Sequence, residues 1–443
     1  MSVVTRALPW LGGIAMILIL PHVFSSGAAI SIMSLIGFAI IFALSYNILL
    51  GQTGILSFGH AVYYGLGGFI TAHALNIIAA NKLPIPLPLV PLVGGIAGLL
   101  FAAPLGWVST KRAGTAFSMI SLGIGELVAA CSLILRGFFG GEGGISTSRT
   151  STLQLFGLTY GPQIQVYYLI GVWCLICSGL MYAFTRTPLG QICNAVRDNP
   201  ERAEFVGYST HMVRFLAFCI AGFFAGIAGG LAAIHYEIVT SGVVGAGPSG
   251  FVLLMTFIGG TGFFIGPILG AILLTAMQSL SDITGAWLLY LGMLFVLMVM
   301  YAPGGLAGLL LMHRQVATRQ GLTRLAPAYG LAAIPGLSLF AGIIFFIETS
   351  HHVLVKSAEG MQMRLLGLSY EANSPTAWAL IAALIVVSYL TFRRTWPIVA
   401  TAWTEATVVA RSVSDESTPK PAAKPNVGGS ASNSRSTITA AVR

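Results

Sequence analysis

Long apolar runs separated by short polar connections fill most of the chain. They lie near residues 9–25, 28–50, 52–78, 87–108, 114–135, 164–185, 213–236, 238–260, 263–280, 286–302, 327–348 and 376–392. A helix needs about 20 mostly apolar residues to cross roughly 30 Å of hydrocarbon, so the pattern predicts an all-α polytopic transmembrane helix bundle of about ten core spans plus two C-terminal ones. The runs 238–260 and 263–280 are broken by glycine and also fit re-entrant segments. The first run has features of a secretory signal, with Arg6 ahead of it and small residues at Ser25–Ala29. Another span follows at once, which favours an uncleaved first helix.

Composition narrows the class. The 443 residues are 56% apolar and only 8% charged, and the mean hydropathy is +0.86. A soluble domain carries about 25% charged residues, so the chain as a whole is not a soluble enzyme, a disordered protein or a nucleic-acid binder. The net charge of +9 has a different origin. With the N-terminus in the cytoplasm, the alternation leaves only Lys82, Arg136, Arg149, Lys356 and Arg364 of the basic residues outside, as positive-inside bias requires. The cysteines Cys131, Cys174, Cys177, Cys193 and Cys219 fall mostly in apolar runs, and no second pair joins Cys174 and Cys177. They read as small packing residues, and no metal site is expected.

The polar segments divide the chain into a membrane domain over 1–312, an extension with two spans over 313–395, and a Ser-, Thr-, Pro- and Ala-rich tail over 396–443 expected to be disordered. Residues 137–163, with Gly140–Gly144 and the Ser/Thr-rich Ser146–Thr152, read as a flexible outer loop.

Two regions share an interruption. Gly51-Gln52-Thr53-Gly54 precedes Ser57, Phe58, Gly59 and His60, and Gly259-Gly260-Thr261-Gly262 precedes Gly266 and Pro267. Helices broken at corresponding places in two halves point to a translocation pathway, because non-helical backbone at membrane depth must line a cavity or be buried in protein. Ordinary glycine-mediated helix contact is the competing reading. The rows Gly222, Gly226, Gly230 and Gly262, Gly266, Gly270 have the spacing that lets helix backbones approach closely. Few ionisable residues lie within spans. Glu126 is expected to face the bundle interior, and His60 starts the helix after the first break, so both are pathway candidates beside hydrogen-bonded packing roles.

No Gly-x-x-x-x-Gly-Lys-Ser/Thr motif occurs, so the chain has no phosphate-binding loop of that kind; no catalytic set and no cofactor site can be assembled. Transport energy must come from a gradient or from another chain. Within the polar loop 186–214, Asn199-Pro200 has the form of a helix cap and first position, Glu201 and Glu204 suit the positive first turn, and Gly207 stops the helix. Such an element is either a solvated loop or a rigid handle for a cytosolic partner.

These blocks together resemble the permease subunits of high-affinity branched-chain amino-acid ABC importers. The resemblance runs over about 28–312, through Leu49–Ala61, Lys111–Met119 to Glu126, Thr187–Gly207, Leu216–Phe218, Gly259–Gly262 with Gly266-Pro267, and Tyr301–Leu306. It implies an inner-membrane complex of two permeases and two ATP-binding subunits, fed by a periplasmic solute-binding protein, in which this chain hydrolyses no ATP. It also implies that Arg197, Asp198, Asn199, Pro200, Glu201, Arg202, Ala203 and Gly207 form the coupling helix. Gly51, Gly54, Ser57, Gly59, His60, Glu126, Gly259, Gly260 and Gly262 are the pathway candidates. Branched-chain amino acids, amides, urea or small carboxylates are the solutes it suggests. Members of that family usually stop near the equivalent of Leu306–Leu310, and the extension here has no counterpart. The alternative is an ion- or proton-coupled carrier using Glu126 and His60, which lacks a second interior acid. A membrane enzyme is a third reading without a catalytic set.

Overall fold

The computed structural model describes residues 3–153, 157–316, 319–355, 360–365 and 367–416. Helices make up nearly all of it. They are α1 (Val3–Val23), α2 (Gly27–Asn47), α3 (Ala61–Asn81), α4 (Val90–Ser109), α5 (Thr115–Ile134), α6 (Arg136–Phe139), α7 (Gln163–Arg186), α8 (Pro188–Asp198), α9 (Pro200–Phe205) and α10 (Thr210–Tyr236). After them come α11 (Ala246–Gly259), α12 (Gly266–Gln278), α13 (Trp287–Tyr301), α14 (Gly305–Val316), α15 (Arg319–Val355) and α16 (Pro375–Glu416). Two antiparallel pairs of short strands complete the fold: β1 (Ile145–Ser146) with β2 (Ile238–Val239), and β3 (Gln362–Leu365) with β4 (Leu368–Glu371). The all-α polytopic class is therefore observed.

Among the described residues, eight helices are long and apolar enough to cross a membrane, and a ninth crossing is formed if α13 and α14, bent by 52°, count as one. The apolar runs of the sequence do not map one to one on these. Run 238–260 contains β2, a single 3₁₀ turn and only then α11, of 14 residues, while 263–280 reduces to α12, of 13. At 1.5 Å per residue each is about 20 Å long, well short of the hydrocarbon thickness. They pack on each other as a helical hairpin, which fits the re-entrant alternative, and a hairpin leaves the sidedness of everything after it unchanged. Run 52–78 likewise begins with the end of a π-helical turn and an irregular segment, and its helix starts at Ala61. The first run lies largely in α1, whose 21 residues include the apolar stretch Trp10–Val23.

The chain divides into two compact units. The first holds the described residues of Met1–His313 and Ile344–Ala379. Its centre is α10, packed on α2, α3 and α4. The glycine row explains why: a Cβ on Gly226 would run into the Gly94 carbonyl and lie 3.0 Å from Gly98 Cα, one on Gly230 would meet Thr71 Oγ1 at 2.8 Å, and Gly229 abuts the Tyr64 carbonyl. Inside lipid no water is expelled between helices, so such close backbone contact supplies the attraction. Gly266 and Gly270 serve the same end in the α11–α12 hairpin, against the Gly260 and Met255 carbonyls. Gly262 does not, because nothing lies within 4 Å of its Cβ position.

The described part of the outer loop is tied to the end of α10, where the sequence reads as flexible. Strand β1 pairs with β2, and the buried Arg149 guanidinium donates to the carbonyls of Tyr160 (2.8 Å), His235 (3.1 Å) and Gly161 (3.1 Å). Its backbone N–H donates to Glu237 Oε1 at 3.0 Å. A cation at the C-terminus of α10 takes carbonyls that have no helical partner. Arg149→Ala strands these acceptors, and hydrogen bonds from a charged donor contribute about 1.5–3 kcal/mol. The variant is expected to lose several degrees of thermal midpoint in detergent, with faster protease cleavage within 137–163. Lysine, which lacks the fork, is expected to restore little of the loss.

The C-terminal part of the first unit is held to α13. The Glu348 carboxylate accepts from Thr284 Oγ1 at 2.7 Å and from Tyr290 Oη at 2.9 Å, and Thr349 bonds Tyr370 of β4 at 2.7 Å. The second unit comprises the described residues of Arg314–Ile343 and Leu380–Arg443. There Val316 and Leu325 pack on Ala406, with Trp403 beside them, and Ala328 and Ala332 pack on Val399. This packing corrects the tail boundary: α16 continues to Glu416, past 396, because its alanines and Trp403 have an apolar partner. The remainder of the expected tail, 417–443, lies outside the described residues.

Candidate functional site

The first break is built from the end of α2. A π-helical turn over Ile48–Gln52 widens the helix, Gly54 adopts φ +69°, and 54–60 runs without regular structure to α3. Backbone without helical partners needs donors and acceptors from elsewhere. Ser118 Oγ donates to the Leu56 carbonyl at 2.8 Å, and the Phe58 N–H donates to Ser121 Oγ at 3.0 Å. The Tyr46 hydroxyl donates to the Ser57 carbonyl at 2.9 Å, and the Ala61 N–H donates to Ser249 Oγ at 3.1 Å. One face of α5 is thus devoted to the break, and Gly59 fits there only because it lacks a side chain: a Cβ would enter the Ser121 carbonyl.

His60 is fully buried, stacked on Phe42 at 5.5 Å between ring centres. The Ser45 hydroxyl donates to the Phe42 carbonyl at 2.7 Å and lies 2.9 Å from His60 Nε2. With the serine hydrogen spent on that carbonyl, Nε2 is the donor in this contact, which leaves Nδ1 an acceptor. Nδ1 has no partner, and neither do the buried Asn47 Oδ1, Gln52 Oε1 and Ser57 Oγ. Unpartnered buried polar atoms are costly and rare. Their grouping makes this break a buried polar patch within an apolar bundle.

The second break lies against the first. Gly260 has φ +108°, and Gly305, at the α13–α14 bend, sits on it. A Cβ on Gly51 would stand 2.7 Å from the Thr261 carbonyl. The structure therefore joins Gly51, Gly54, Ser57, Gly59 and His60 to Gly259 and Gly260 through Thr261, while Gly262 faces open space.

Glu126 is not part of this patch. It lies on the exposed face of α5, contrary to the expectation that it faces the interior of the chain. Helical geometry gives the reason: Ser118, Ser121 and Gly125 occupy the inner stripe, and the next residue is turned about 100° away. Met119, Leu122, Gly123 and Leu127 share the exposed face with it.

On the polar loop, the expected cap is present. Asn199 Oδ1 accepts from the Arg202 N–H at 2.9 Å, Pro200 opens α9, and Gly207 has φ +94°. Thr210 Oγ1 donates to Glu204 at 2.7 Å and ties α9 to the start of α10. The sequence reading missed α8, which is capped by Thr187 Oγ1 and buries Gly190, Cys193 and Val196. Its signal was Thr187-Pro188, a cap followed by proline at the first helical position. Burial pushes the Cys193 thiol up to about 12, consistent with a packing cysteine. Also missed were Phe205, Val206 and Tyr208, which are exposed, Phe205 at 90%. Arg197 does not extend away from the bundle; its Nη1 donates to the Gly51 carbonyl. Among the described residues no group of three or more His, Cys, Asp or Glu side chains is placed to hold a metal.

A bundle with paired broken helices, buried polar atoms at the breaks and a capped polar knob between two spans fits a membrane permease component. Residues 28–303 match the family described as the permease component of branched-chain amino acid transport systems, and the chain belongs to that family. It is 30% identical over 308 residues to the high-affinity branched-chain amino acid transport permease LivM of Escherichia coli, covering 65% of this chain and 71% of that protein. Against LivM of Salmonella typhimurium the identity is 30% over 289 residues, covering 60% and 67%. Against BraD of Pseudomonas aeruginosa it is 23% over 281 residues, covering 60% and 90%. No solved structure matches the chain.

Proposed function

We propose that the chain is the permease of an ATP-binding-cassette importer that moves branched-chain amino acids, or a related small amide or carboxylate, into the cytoplasm. The observation that carries this reading is the α8–α9 element. It is short, rigidly capped and tipped by a phenylalanine that is 90% exposed, in a chain without a phosphate-binding loop. An aromatic exposed outside the spans costs solubility unless a partner covers it. ATP is bound and hydrolysed by two partner subunits, a second permease completes the membrane portion, and a periplasmic binding protein delivers solute. The chain itself holds no cofactor, and its N-terminus is cytoplasmic.

The coupling element comprises α9 with its cap, Asn199 to Gly207, and α8 with Arg197 and Asp198 as its base. The pathway residues of this chain are those around the joined breaks, and Glu126 faces the shared membrane cavity with the second permease, where a carboxylate stays hydrated. The carrier alternative loses support, because His60 is bonded to Ser45 while Glu126 lies on the outer face of α5.

The test is solute uptake by the complete complex in proteoliposomes, with a panel of leucine, isoleucine, valine, urea and acetamide. ATP is expected to raise uptake of at least one branched-chain amino acid about tenfold or more over the ATP-free level, the range of a coupling free energy above 1.4 kcal/mol. Uptake sustained by an imposed proton or sodium gradient without ATP contradicts the reading.

A further inference from the structure

Cytosolic docking alone does not explain where Arg197 points. Its Nη1 donates to the carbonyl of Gly51, 146 residues earlier in the chain, in the last turn of the interrupted helix. Carbonyls in a last turn have no intrahelical donor, so the guanidinium completes the break. The Arg197 stem lies over Gly54, where a Cβ would stand 2.8 Å from Arg197 Cγ. Gly54 also carries the positive φ of the turn, so the contact is backbone against side chain with no room between them. Asp198 Oδ1 accepts from Arg197 Nε at 2.9 Å and sets the orientation of the fork. The side chain remains 36% exposed, and Asp198 is 67% exposed. On its other side Gly51 meets the Thr261 carbonyl of the second break.

These contacts form a continuous line. Phe205 stands at the exposed tip of α9, and α9 joins α8 through the Asn199 cap. Helix α8 is seated in the bundle by Cys193 and Val196 and ends in Arg197, which holds Gly51, and Gly51 touches Thr261. We propose that Arg197 is a transmission residue: its bond to Gly51 carries displacement of the α8–α9 element to the two joined helix breaks. This rests on the importer reading and deepens it. A π-helical turn with a positive-φ glycine after it is a segment able to take a second arrangement, and a charge-assisted bond to it favours one of the two. Arg197 then acts through Gly51 and does not touch solute.

Spatial continuity alone does not establish coupling. The test uses the complete complex of permeases, ATP-binding subunits and binding protein in proteoliposomes, with solute moved per ATP hydrolysed as the readout. In Arg197→Gln the solute moved per ATP hydrolysed, with both rates taken per bound ATP-binding subunit, is expected to fall about tenfold, the scale of one lost charge-assisted bond. Arg197→Lys keeps the charge but loses the fork and is expected to recover part of the ratio. Asp198→Asn, which loosens the fork but retains it, is expected to lower the ratio less. If Arg197→Gln fails to assemble, the lysine and Asp198 variants decide the matter by the same ratio.

Loss of the ATP-binding subunits in step with transport makes Arg197 a docking residue and overturns the proposal. An unchanged ratio in all the variants makes it a solvated side chain and also overturns it. Failure of the importer reading is distinct, since it shows in the unaltered complex as uptake independent of ATP.

Discussion

Phe205→Asp is expected to reduce ATP-driven uptake about a hundredfold and to strip the ATP-binding subunits from the purified complex, because central aromatic anchors contribute about 2–4 kcal/mol to an interface. The side chain is 90% exposed, so its replacement disturbs no packing within the chain. Surface changes of that kind usually alter stability by less than about 0.5 kcal/mol. The membrane yield and thermal midpoint of the permease are therefore expected to stay as they are, which separates docking from folding. Phe205→Leu, which keeps apolar area, is expected to retain much of the binding. Uptake and co-purification both unchanged in Phe205→Asp remove α9 from the interface.

Gly226→Leu is expected to have an equally large effect for a different reason. The α10 backbone meets α4 at this residue, with the Gly94 carbonyl directly over its Cβ position and Gly98 Cα 3.0 Å away, and α3 touches the same glycine through Gly67. These are backbone atoms, which cannot rotate aside. Overpacking costs about 1–3 kcal/mol even where side chains can move, so the central helix must separate from two neighbours. The expected outcome is a thermal midpoint in detergent lower by about 5 °C or more, or no folded protein. Gly226→Ala is expected to fall between. Gly262→Ala, at a position with nothing within 4 Å, serves as the control and is expected to leave the midpoint unchanged. Equal effects at 226 and 262 contradict the packing account.

Much of this architecture is legible in the sequence, because lipid imposes a simple rule on composition and length. The long spans, the α10 glycine row and the Asn199–Gly207 cap follow from local chemistry. What stays hidden depends on partners distant in the chain. An apolar run shows the same hydropathy whether it forms a span or a strand, a turn and a half-length helix, so 238–260 was divisible only once β2 found β1. Gly262 has the same spacing as Gly266 and Gly270 and none of their contacts. Glu126 follows the inner stripe of α5 by one residue, and sequence does not say which side of a helix the neighbours take. The Ser/Thr-rich outer loop reads as flexible until Arg149 finds the carbonyls at the end of α10. Arg197 reads as a cytosolic charge until Gly51 is seen beside it.

The most direct test of an externally powered permease compares the purified chain alone with the complete complex, in liposomes holding ATP, for accumulation of radiolabelled leucine against its gradient. Accumulation by the complex alone, dependent on hydrolysable ATP, is the result expected. Accumulation by the isolated chain, in the presence of nothing but an ion gradient, contradicts the account.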